Sequence, residues 1–161
     1  MGAGGLRGGG VWGVSFGFMI GAVVAGVIGM GWGIQMSASG DHSLSPAHAH
    51  LNLLGWVGFA IYGFYYHLVP VAAESRLAKL HFGTALLGLV LIVPGIAMAV
   101  TGAGDTLAKI GSILTLLAAL LFAAVVLRRR GRAPWKKRPP SLLLNQPSAS
   151  HQPPRRRPGG G

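Results

Sequence analysis

Four long apolar stretches separated by short turns govern what this chain can fold into. They cover residues 11–36, 47–71, 77–100 and 106–127. Each reaches the roughly 20 residues that a helix needs to cross the hydrocarbon of a bilayer. Backbone polar groups in hydrocarbon have to be satisfied within their own segment, so helices are the expected form. The composition agrees. Of 161 residues 51% are hydrophobic, and only Asp41, Glu74 and Asp105 are acidic. There are no cysteines, which excludes disulfides, thiolate metal sites and c-type haem attachment.

Signals at the ends of the stretches fix the cuts. Ser45 followed by Pro46 reads as an N-cap with proline at the first helical position. Pro70 closes the second stretch, and residues 101–106 (Thr-Gly-Ala-Gly-Asp-Thr) form a turn. Short connections place successive helices antiparallel. The expected architecture is an all-α integral membrane four-helix bundle over residues 11–127, with an N-terminal segment at 1–10 and a tail at 128–161. The first stretch ends near Ser37-Ala-Ser39, but its apolar core is too long for a cleaved signal peptide.

Charge sets the expected orientation. Arg7, Arg76, Lys79 and the arginines from Arg128 fall on one side of the membrane, with Asp41 and Asp105 on the other. The positive-inside rule then puts both termini in the cytoplasm, in a bacterial inner membrane. Only Lys109 sits against the pattern. Most of the basic residues and most of the prolines lie beyond Leu127. That tail has little to bury and is expected to be disordered, with its first basic cluster against anionic lipid. No aromatic-rich or folded nucleic-acid-binding module accompanies the charge, so nucleic acid is not the expected partner.

Along the first helix Gly13, Gly17, Gly21, Ala25, Gly29 and Gly33 recur every four residues. The stripe presents a narrow face on which a second helix packs closely. The sequence leaves open whether that helix belongs to the same chain or to a second copy.

Six histidines remain. His151 in the tail and His42 in the outer loop read as solvated. His48 and His50 enter the second helix near its outer end, two residues and about 200° apart. One metal cannot take both from a regular helix. On spacing alone they read equally as interfacial caps or as ligands. With His42 they also form a possible outer metal-handling cluster. His67 belongs to the inner end, close to His81 at the start of the third helix. Those two either face each other across the turn or reach headgroups and water, and the interfacial reading is preferred.

The run from His48 through Leu51, Asn52, Gly55, Trp56, Gly63 and Tyr66 to Pro70 resembles the tenth transmembrane helix of haem–copper oxidase subunit I, closest to the cbb3 type. The shared features are His-x-His, Gly-Trp and a Gly-x-x-Tyr-x-Leu-x-Pro ending. Leu77 to Gly88, with His81-Phe82, resembles the start of the helix that follows, although Gly83 replaces a tryptophan. The likeness covers residues 45–104 in order and spacing. It implies that His48 is the axial ligand of a high-spin haem and His50 a ligand of a low-spin b-type haem, in respiratory electron transfer. Trp32, Trp56 and Phe59 are then candidate pocket walls.

The departures limit this. The family's catalytic subunit has about twelve spans, and this chain has four. It offers no further paired histidines for copper and no second low-spin ligand, so one chain does not build an oxygen-reducing centre. The expected roles are a small haem-binding protein, with a homodimer supplying His50 twice, or a non-catalytic accessory or assembly subunit of a larger respiratory complex.

Overall fold

The structure is a computed structural model that describes residues 13–130, with main chain alone at 129 and 130. Arg7, His151 and the expectations for the N-terminal segment and the tail beyond Arg130 lie outside the described residues. Every regular element among the described residues is a helix. Helix α1 spans Val14–Ser39, α2 Ser45–His50, α3 Phe59–Leu68, α4 Pro70–Ala73, α5 Arg76–Val100 and α6 Thr106–Arg130. Between α2 and α3 the chain stays helical, but Leu51–Gly58 adopts the wider π form. Helices α1, α5 and α6 are long and apolar enough to cross a membrane. The large apolar side chains that they leave exposed, among them Val27, Ile34, Val90 and Leu120, suit contact with lipid tails.

Local chemistry accounts for the breaks. α1 stops at Gly40, whose φ of 70° is the left-handed turn that glycine takes without a Cβ penalty. α3 ends ahead of Pro70, which opens the single turn of α4. The Ser75 hydroxyl then accepts the Ala78 amide at 3.2 Å and caps α5. One sequence expectation fails here. Ser45 is the first helical residue and Leu44 holds the cap position. Ser45 Oγ instead donates to the His42 carbonyl at 2.7 Å. At the far end α6 runs through Arg128 to Arg130 and does not stop at Leu127.

Small residues decide the packing. Gly17 faces Phe82, Gly21 faces Phe59, Ala25 meets Gly55, Gly29 faces Asn52 and Gly33 faces His48. From Gly17 to Gly33 the α1 stripe is therefore filled by this chain's own α2, π segment, α3 and α5. Gly26, off that stripe, lies under the Trp56 ring. A second tight seam joins α5 to α6. A Cβ on Gly95 would strike the backbone at Leu107 and Ala108, and one on Gly111 would lie 2.5 Å from the Ile92 amide nitrogen. Backbones that close gain dispersion contacts, which are the main attraction between helices in lipid. The buried core gathers around Phe18, Phe59, Tyr66, Ala78 and Ala85, with Ala118 and Val125 from α6.

Candidate functional site

Histidines mark two places in this fold, at opposite ends of the helical run that begins at Ser45. At the first, the N-terminal turns of α2 carry His48 and His50, both half-buried. The His48 ring lies against α1. Its ring meets Trp32 edge-on with centroids 6.0 Å apart, and a Cβ on Gly33 would sit 3.3 Å from its Cε1. Asn52 stands one turn further on. Its amide donates to the His48 carbonyl at 2.9 Å and lies 3.3 and 3.4 Å from the two ring nitrogens. His48 is thus held by packing and by Asn52 at the seam between helices.

His50 is held differently. Its Nδ1 donates to the Pro46 carbonyl at 2.7 Å. In the neutral ring that bond puts the hydrogen on Nδ1 and the lone pair on Nε2. Histidines that bind a metal through one nitrogen characteristically donate the other N–H to a carbonyl or carboxylate. His50 therefore fits the role of an axial ligand. His48, with its ring between Trp32, Gly33 and Asn52, does not fit it without leaving that seam. His42 is exposed, its Nδ1 3.1 Å from the Gly40 carbonyl. Among the described residues no group of three or more His, Cys, Asp or Glu converges on a metal position, so His42, His48 and His50 do not make a shared cluster. Of the candidate pocket walls, Trp32 touches His48 and Trp56 is exposed. Phe59 is in the core against Phe18.

The second place is the core itself. His81 is fully buried, with no exposed surface. The interfacial position expected for it is overturned, and so is the pairing with His67, which is exposed. Its partner is Tyr66, whose hydroxyl lies 3.0 Å from His81 Nδ1. Four rings from three helices surround the imidazole. Tyr62 stands edge-on with centroids 4.6 Å apart, Phe18 lies at 5.0 Å, Phe122 at 5.5 Å and Tyr66 at 5.9 Å. His81 Nε2 is buried and has no hydrogen-bond partner. Such an atom costs about 1–3 kcal/mol, so its retention calls for a reason.

The sequence held a signal for this burial. Ala78, His81, Ala85, Gly88, Ile92 and Gly95 fall three or four residues apart, and all are buried. His81 shares the inward face of α5 with small residues. Reading it by its place near the start of the helix hid that phase.

A groove of about 680 Å³ opens beside this core at the α3–α5 turn. Val14, Ser15, Gly17, Tyr66, Pro70 and Phe82 contribute to its wall, and His67, Glu74 and Lys79 add polar groups. Those three side chains are exposed. Ser15 Oγ donates to the Gly63 carbonyl at 2.9 Å and ties α1 to α3 beside it.

No family model, no curated protein and no solved structure matches the chain.

Proposed function

We propose that this protein is a four-span membrane component that binds b-type haem through His50 and takes part in respiratory electron transfer. The observation that carries the reading is the His50 Nδ1 bond to the Pro46 carbonyl, which leaves Nε2 as a prepared ligand atom. The resemblance of residues 45–104 to the haem–copper oxidase catalytic subunit points the same way. In this reading the continuous run of α, π and α turns over 45–68 is the fourth span. The same reading takes both termini as cytoplasmic, in a bacterial inner membrane, on the positive-inside rule, and takes the basic cluster from Arg128 as a contact for anionic lipid.

Bound haem supplies one-electron chemistry, and its potential depends on axial ligation and burial. The chain's own contribution is one oriented imidazole at the end of α2. A second axial ligand comes from another protein, either a second copy or a larger respiratory subunit. Since α1's glycine face is filled within the chain, that partner approaches on another surface. Copper is not part of the proposal, because the chain lacks the histidines to hold it.

His48 favours a second reading, a non-catalytic accessory subunit, because its ring serves packing between α1 and α2. A reduced-minus-oxidised absorbance spectrum of detergent-purified full chain, expressed with ample haem, separates the two. Haem bands lost in His50→Ala and kept in His48→Ala establish His50 as the ligand. A flat spectrum from folded protein removes haem and leaves the accessory role.

A further inference from the structure

His81 is an ionisable side chain buried in a helix that is apolar enough to cross a membrane. Such residues are expensive, and they commonly mark proton or ion pathways. Three observations place His81 in one line with the groove. Tyr66 belongs to the groove wall, yet it is only 1% exposed, so it stands between the groove and the core. Its hydroxyl reaches His81 Nδ1 at 3.0 Å. On the far side of the ring, Nε2 has no partner.

We propose that Tyr66 and His81 form a proton relay from the groove into the centre of the bundle, with Nε2 as its inner end. A hydroxyl that both donates and accepts, next to an imidazole with two nitrogens, is the minimal arrangement that moves a proton without moving the backbone. In the inward step, Tyr66 Oη takes a proton from hydrated groove water and releases its own hydroxyl proton to Nδ1. Nε2–H then gives its proton to an internal water. One proton leaves the groove, one arrives inside, and the imidazole ends as the Nδ1–H tautomer. The step reverses by the same route: Nε2 takes a proton from the inner water, Nδ1–H passes to Tyr66 Oη, and Tyr66 releases its own proton to the groove, so a full cycle restores the pair and exchanges protons with no net transfer.

The surroundings suit this task. The rings packed on His81 among the described residues are Phe18 from α1, Tyr62 and Tyr66 from α3, and Phe122 from α6. Tyr62 and Tyr66 are the titratable members of that set of rings, and among the described residues no ion pair involves His81. At the mouth of the groove, His67, Glu74 and Lys79 are exposed groups able to exchange protons with water. The proposal is independent of haem binding at His50.

The test is exchange of the His81 ring N–H with water, followed by nitrogen-15 NMR of the full chain labelled at histidine in detergent micelles. Wild-type His81 is expected to exchange measurably with water. Tyr66→Phe keeps the ring and removes only the hydroxyl, and it is expected to slow exchange at least tenfold. His67→Ala, at the mouth, is expected to change the rate less. If Tyr66 only satisfies a buried histidine, its removal leaves the rate unchanged or raises it, and either result overturns the relay. A wild-type ring proton fully protected from water also overturns it. Backbone amide spectra that superimpose between wild type and Tyr66→Phe confirm that the comparison is made on the same fold.

Discussion

Ala25 and Gly55 meet at the crossing of α1 with the π segment, where a Cβ built on Gly55 would lie 2.8 Å from the Ala25 methyl. The same Cβ would lie 2.9 Å from Leu89 of α5, so three helices converge on one missing side chain. Gly55→Val is expected to destabilise the bundle by about 1–3 kcal/mol through overpacking. A lowered thermal midpoint in detergent checks this.

Two glycines on α1 should behave oppositely. A Cβ on Gly21 would fall 2.7 Å from the Phe59 ring, whereas one on Gly31 meets nothing within 4 Å. Gly31→Ala is therefore expected to stabilise by up to about 1 kcal/mol, because alanine loses less backbone freedom in a helix. Gly21→Leu should lower the midpoint, and it should do so at any protein concentration because the contact is within one chain. A midpoint that depends on concentration would restore the stripe as an interface between copies.

Phe18 is fully buried and touches the rings of Phe59 and Tyr66 on α3 and of Phe82 on α5. Phe18→Ala should cost about 3–5 kcal/mol by loss of contacts and creation of a cavity. Phe18→Leu should recover much of that. Chemical or thermal unfolding of the two variants in one detergent gives the comparison.

Asn52 links its own helix to the His48 carbonyl and ring. Asn52→Leu removes that amide beside Gly29, and it should lower stability by about 0.5–1.5 kcal/mol from the bond alone, with steric cost in addition. Under the haem reading the spectrum of this variant keeps its bands, because His50 makes its own bond to Pro46. Bands lost in Asn52→Leu would place the cofactor on the His48 side.

Two carboxylates outside the helices carry the acid dependence. The Ser43 backbone amide donates to Asp41 Oδ1 at 2.9 Å and holds that carboxyl below its usual 3.8. Lys109 Nζ, 2.8 Å from Asp105, lowers the second one. A lowered carboxyl pKa adds stability above the unfolded value, and that stability is lost as pH falls through the folded value. The thermal midpoint should therefore be insensitive to these groups from about pH 7 to about pH 5 and should drop below about pH 4. The drop is small, because both groups are exposed. Replacing both by asparagine should flatten it.

The helices were legible in the sequence because long apolar runs and glycine or proline punctuation depend on local chemistry alone. Pro70 and the turn ahead of α6 stand where their residue types required, whereas α1 runs past the expected end at Met36 to Ser39 and Gly40. The candidate site was less legible. His48 and His50 look alike in the sequence, and what separates them is non-local: Trp32 and Gly33 come from another helix. His81 looked interfacial because it stands near the start of its helix, at the same end as His67. Its depth comes from rings contributed by α1, α3 and α6, which no local window contains.

The π segment carries a consequence for bearing along the rod that contains it. Its hydrogen bonds close larger rings than those of an α-helix, so each residue advances the chain by a smaller angle. Across Leu51–Gly58 these differences accumulate into a fixed azimuthal offset between the histidine end and the tyrosine end. A wheel drawn at 3.6 residues per turn straight through the rod sets His48 and Tyr66 at the wrong relative heading. Deleting one residue between Leu51 and Gly58 would act as a torsional key, turning one end against the other while leaving both ends helical.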